Sequence, residues 1–189
     1  MTSISRMRGI HDFIVTPKDG DKYDNDRGLG FALNTSIENH KFVQRVAVVQ
    51  STPSGYKGVI HDGDEVVIHH NVFRRGYDIK GKMKESSFHV SGEYYAVPEE
   101  MVYMHRSNPE SEWIANTGFV FVLPEANKDE LSAASRNPNT GIVEYSSLPD
   151  ITKGDRIWFE DWCEHEFHID GKDMYKIKTN NLVWHQKNQ

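Results

Sequence analysis

The sequence predicts an all-β protein made of two tandem copies of one small unit, a barrel or a sandwich. Three observations lead there: many short runs of β-branched and aromatic residues punctuated by Gly, Pro, Asn or Asp; little helical composition; and motifs that recur in the same order in the second half. With 189 residues, 37% hydrophobic and 26% charged, the chain is of the soluble globular class and can hold one ordinary domain or two small ones.

In the first half, "HDFIV" (11–15), "RVAVV" (45–49), "DEVVIHH" (64–70), "SFHVS" (87–91) and "EYYAV" (93–97) read as strands. The second half continues with "GFVFVL" (118–123), "GIVEY" (141–145), "DRIWF" (155–159), "HEFHI" (165–169) and "DMYKI" (173–177). Only "ANKDELSAAS", 126–135, has helical composition, and it is too short for more than a turn or two.

The repeat organises these strands. "GDEVVI", 63–68, lies on "GDRIWF", 154–159, each a Gly-Asp turn opening a strand, and "FHVSG", 88–92, lies on "FHIDG", 167–171. Each copy closes on an apolar cluster, "MVYMH" at 101–105 and "LVWH" at 182–185. The offsets, 91 and 79, give the first copy about twelve extra residues, which fall in "RRGYDIKGKMKE", 74–85, charged and glycine-bearing as an exposed loop should be. The polar stretch "RSNPESE", 106–112, sets the boundary, giving units 1–107 and 108–189.

Two histidine-bearing stretches invite a metal reading, "IHDGDEVVIHHNVFRR" (60–75) and "CEHEFH" (163–168). As strands they argue otherwise. Val66 and Ile68 share one face and Val67 the other, Asp64 can hydrogen-bond within its turn, and His69 and His70 end the strand on opposite faces. Alternation likewise puts Cys163, His165 and Phe167 on one side and Glu164, Glu166 and His168 on the other, without the Cys/His spacing of a structural zinc site. The chain has no Gly-x-Ser-x-Gly elbow, no Walker-type loop and no Gly-x-Gly-x-x-Gly entering a helix. The expectation is a protein that is not an enzyme and uses no metal or cofactor. A net charge of −6 argues against nucleic-acid binding. No apolar run matches a signal peptide or a membrane span, and the single cysteine, Cys163, forms no internal disulfide, so a cytoplasmic location is expected.

The order of these segments resembles a known family. "MRGIHDFIV", a long polar loop, "RVAVVQ", "VIHDGDEVVI" and "SFHVSGEYYAVPEEMVYM" are similar in sequence and order to the GroES-type co-chaperonins, and "GFVFVLP", "TGIVEYSS", "DITKGDRIWF" and "EFHIDGKDMYKIKTNNLVW" repeat the likeness. The resemblance implies two tandem small GroES-like β-barrels and a homo-oligomeric ring that caps a GroEL-type chaperonin and assists protein folding. It also implies that the loop at 17–40, already too long for an ordinary connection, is mobile and carries an apolar tripeptide after a glycine that docks on the chaperonin. Gly30, Phe31, Ala32 and Leu33 match that pattern, with Phe31 and Leu33 as anchors. The second copy's loop, 124–139, is shorter: Val15 to Arg45 spans 30 positions and Val122 to Gly141 only 19, with no comparable tripeptide. Divergent co-chaperonins of this kind are typical of large phages, which would place the protein in a host cytoplasm. The alternative carried by the same residues is a non-chaperone oligomeric structural or assembly protein, such as a phage virion component, in which Phe31 and Leu33 pack as part of a further strand.

Overall fold

A computed structural model describes residues 8–23, 43–125, 139–163 and 165–188. Among them the protein is all-β, its strands joined by turns and three short 3-10 segments. The chain divides into two compact units, Met1–Glu112 and Trp113–Gln189, so the division falls at the C-terminal end of the polar stretch 106–112.

The first unit contains β1 (Phe13–Pro17), β2 (Val46–Ser51), β3 (Glu65–Ile68), β4 (Gly76–Tyr77), β5 (Met83–Lys84), β6 (His89–Ser91), β7 (Tyr94–Val97) and β8 (Val102–Arg106). Six of these form a sheet in the order β6-β7-β1-β2-β3-β8, and β4 and β5 form a separate hairpin. The second unit contains β9 (Ile114–Ala115), β10 (Phe119–Pro124), β11 (Thr140–Ser146), β12 (Arg156–Phe159), β13 (His165–Ile169), β14 (Lys172–Lys178) and β15 (Leu182–Gln186). Its sheet runs β13-β14-β10-β11-β12-β15, the same path as in the first unit. The strand pairings in both sheets are antiparallel.

The duplication reaches the individual hydrogen bond. Val15 pairs with Val49, and Val122 with Val143; Ala47 pairs with Val66, and Gly141 with Ile157; Val67 pairs with Met104, and Trp158 with Trp184. Bulges recur at matching places, between Ile14 and Val15 and between Phe121 and Val122, then between Val67 and Ile68 and between Trp158 and Phe159. The Gly-Asp turns are one structure built twice. Gly63 and Gly154 have φ of 96° and 93°, a conformation that favours glycine, and each donates its amide to the sheet, at Val49 O and Val143 O respectively, both in 2.7–2.8 Å bonds. The following aspartate closes each turn, Asp64 Oδ2 accepting from the His61 amide at 2.8 Å and Asp155 Oδ2 from the Thr152 amide at 2.9 Å. Asp155 also accepts from the Asn188 amide at 3.0 Å and from Lys187 Nζ at 3.2 Å. Those backbone donors, Thr152 first, hold its carboxyl well below the usual aspartate range.

Each unit has its own core. In the first, Phe13, Val15, Ala47, Val49, Val66 and Ile68 come from three neighbouring strands, and Tyr95 and Val97 join from β7. The second core uses the equivalent positions Val120, Val122, Val143, Ile157, Phe159 and Ile177. Period-2 alternation thus places Val66 and Ile68 inward as expected.

Several expectations need correction. Neither sheet closes into a hydrogen-bonded barrel; the strand orders have open ends, because β6 and β8, and β13 and β15, are bonded on one side only within their units. The strand β3 stops at Ile68, so His69 and His70 do not alternate across it. They lie in the next turn with rings stacked 4.2 Å apart, and His69 Nδ1 accepts from the Asn71 amide at 3.0 Å. Cys163 likewise precedes β13 and donates to Glu160 O at 2.9 Å. The Phe-His match is displaced by two residues: Tyr95 and Tyr175 are equivalent, yet Tyr95 faces His89 and Tyr175 faces Glu166, which makes His165 the counterpart of Phe88. A two-residue slip keeps every side chain on its face, so the sequence pattern could not register it. Arg45 corresponds to Asn139 and not to Gly141, since their carbonyls accept from the equivalent amides of Ile68 and Phe159. Pro17 and its partner Ala47 are therefore 30 residues apart and Pro124 and Gly141 only 17.

Candidate functional site

The expected anchor residues Gly30, Phe31, Ala32 and Leu33 lie outside the described residues, as do most of the second unit's loop and the stretch 126–135 that has helical composition. What is described is the stem from which the first loop leaves and returns. Its two ends are held side by side: Tyr23 and Val43 form an antiparallel bridge, and the Gln44 amide donates to Lys22 O at 2.9 Å. Val43 is buried in the first core, and the Gln44 side chain accepts from the amides of Arg45 and Val46, fixing the chain's re-entry into β2.

One carboxylate ties this stem to the β4–β5 hairpin and to β7. Glu85 Oε1 accepts from Lys22 Nζ at 3.0 Å and from Arg75 Nε at 3.1 Å, while Glu85 Oε2 accepts from the Tyr95 hydroxyl at 2.9 Å. The Arg75 amide donates to the Tyr23 hydroxyl at 2.8 Å, and Lys22 sits 5.2 Å from the Tyr95 ring centre. Partial burial opposes ionisation of Glu85, but the hydrogen bonds from Lys22 and Tyr95 and the nearby cations outweigh it and hold its pKa below the usual value. Burial, reinforced by the Glu85 charge, pushes the Tyr95 phenol well above its ordinary range, so it remains a donor at any physiological pH. Beside this cluster a groove of about 610 Å³ opens along the hairpin base, lined by Asn71, Arg74, Arg75, Lys84, Glu85 and Ser86 among others.

The hairpin itself is ordered by one side chain. Asp78 Oδ1 accepts from the amides of Lys80 and Lys82, both at 2.9 Å, and the Asp78 amide pairs with Lys82 O. This Asx turn holds up a tip on which Ile79 is fully exposed and Tyr77 and Met83 are about half exposed. The segment 74–85, expected as an exposed loop, is thus a built projection.

The cluster could not be found from the sequence, since Lys22 and Glu85 are 63 positions apart and Tyr95 reads only as a strand aromatic. Among the described residues no three His, Cys, Asp or Glu side chains gather as a metal site. Within them, no helix is long and apolar enough to cross a membrane. The sequence matches no protein-family model and no curated protein.

Proposed function

We propose that this protein is a tandem GroES-like co-chaperonin, whose units are GroES-like barrels in the looser sense of an open sheet wrapped on its own core, and that it caps a GroEL-type chaperonin through Gly30-Phe31-Ala32-Leu33. The observation that carries the reading is the asymmetry between two units that share one strand order and matching β1–β2 and β10–β11 pairings: 30 residues separate Pro17 from Ala47, against 17 between Pro124 and Gly141. The two ends of this longer connection are pinned side by side at the Tyr23–Val43 bridge, and a connection much longer than joining two neighbouring strands requires is where function concentrates. Docking of a short apolar tripeptide is individually weak. A cap therefore needs several loops engaged at once, which calls for a homo-oligomer and leaves the cap releasable.

The test is to mix the protein with a GroEL-type chaperonin and nucleotide and to measure co-sedimentation of the wild type and of Phe31→Ser/Leu33→Ser. Binding by the wild type alone supports the reading; binding by neither, or equally by both, refutes it.

A second reading, an oligomeric structural or assembly protein, is favoured by β15. This edge strand exposes Val183 and Trp184, the latter stacked on Trp158 at 3.6 Å, whereas all five residues of the equivalent β8 are buried. An exposed apolar edge is a place for another chain to add. Both readings require self-association; only the first requires a chaperonin.

A further inference from the structure

The two units present equivalent connections, β3 to β6 and β12 to β13, that have diverged into opposite surfaces. In the first unit, "RRGYDIKGKMKE" (74–85) carries five cationic residues against two acidic ones, in a chain whose net charge is −6. Lys80, Lys82 and Lys84 are exposed there around the apolar tip of Tyr77, Ile79 and Met83. The second unit's "EDWCEHE" (160–166) has four acidic residues and no lysine or arginine. Its Glu160, Asp161 and Glu166 are exposed, and between them Trp162 is 92% exposed at φ 63°. A left-handed tryptophan is strained, and one so exposed gains no burial to offset the strain, so its place is not explained by the stability of its own unit.

We infer that these two connections are the halves of one contact between copies of this chain: the basic hairpin of one copy docks on the acidic Trp162 turn of another. Charge complementarity chooses the partner. Two hairpins meeting tip to tip would bring like charges together, as would two acidic turns, whereas hairpin to turn pairs opposite charges around an apolar centre. The exposure of Ile79 and Trp162 in the single chain leaves both available to a second copy. Because donor and acceptor are different surfaces, the contact is either made reciprocally in a two-fold dimer or repeated head-to-tail into a ring or a chain. The inference does not depend on the chaperonin reading.

Cys163, next to Trp162, makes the test direct. Lys80→Cys places a second thiol at the hairpin tip, and mild oxidation should then yield disulfide-linked multimers joined through positions 80 and 163, identified by peptide mapping; the wild type should yield none. In parallel, Lys82→Glu/Lys84→Glu should weaken self-association about tenfold in sedimentation at low salt, and adding Glu160→Lys/Glu166→Lys should restore it. Restoration also excludes misfolding as the cause of the loss. Absence of the 80–163 link together with masses indifferent to the charge swaps overturns the inference. Capture of the hairpin by phosphatidylserine vesicles from a protein that stays monomeric also overturns it, in favour of a lipid partner.

Discussion

Glu85 and Trp162 show how far single residues in this protein depart from the needs of a sheet. Glu85 collects Lys22, Arg75 and Tyr95 at the root of the long loop. Its lowered pKa means that this contribution is complete above the ordinary glutamate pKa of about 4.3 and is lost as pH falls through the lower folded value. Glu85→Gln should therefore lower Tm at pH 7, and the difference from wild type should shrink in thermal melts as pH falls below the ordinary glutamate range. An undiminished difference in acid would show that the cluster works by shape and not by charge. Trp162 predicts the reverse behaviour. Glycine accepts its backbone without strain, so Trp162→Gly should leave stability unchanged or raise it by up to about 1 kcal/mol in denaturant titration, despite the loss of a large aromatic. A clear destabilisation would mean that Trp162 is anchored within its own unit.

At the scale of the elements, the sheet is one design executed twice with different local chemistry. Glu65 on β3 is buried with Arg106 of β8 at 2.6 Å and Lys18 at 3.0 Å. The equivalent position on β12 is Arg156, which pairs with Glu125, the equivalent of Lys18, so the pair is kept with its charges exchanged and far more exposed. Glu65→Gln should cost about 3 kcal/mol, because the buried Arg106 guanidinium loses its carboxylate partner, whereas Arg156→Gln should cost at most about 1 kcal/mol; paired urea titrations decide. Equal costs would remove burial as the explanation. Ile68→Ala, a deletion in the first core, should cost about 2–5 kcal/mol, and a value near zero would contradict the assigned inward face. The strands were legible because alternation and Gly-Asp turns are local signals: "GDEVVI" and "GDRIWF" alone located both third strands. The two-residue displacement of Phe88 against Phe167 was not, since period-2 patterns are blind to it. Nor was the β4–β5 hairpin, whose order comes from Asp78 accepting backbone amides and not from any apolar periodicity. The Glu85 cluster was hidden for another reason, being assembled by sheet topology from segments far apart in sequence.

For the whole molecule, the duplication sets what assembly can do. Two units that share one strand order but differ in loops, edges and charges give each chain unlike surfaces, and on the contact inferred above the basic surface of one copy meets the acidic surface of another. On the co-chaperonin reading only the first unit grips the chaperonin, and the second contributes to the cap's frame. The central claim is that the long loop between β1 and β2 acts outside the fold, through Phe31 and Leu33. Its most direct test is a calorimetric titration of a nucleotide-loaded GroEL-type chaperonin with wild type and with Phe31→Ser/Leu33→Ser, alongside the Tm of each protein. The account predicts saturable binding by the wild type, none by the variant, and the same Tm for both, since each anchor contributes up to about 1.5–3 kcal/mol only when buried in the partner. A variant that melts markedly earlier, or that binds as the wild type does, would contradict it.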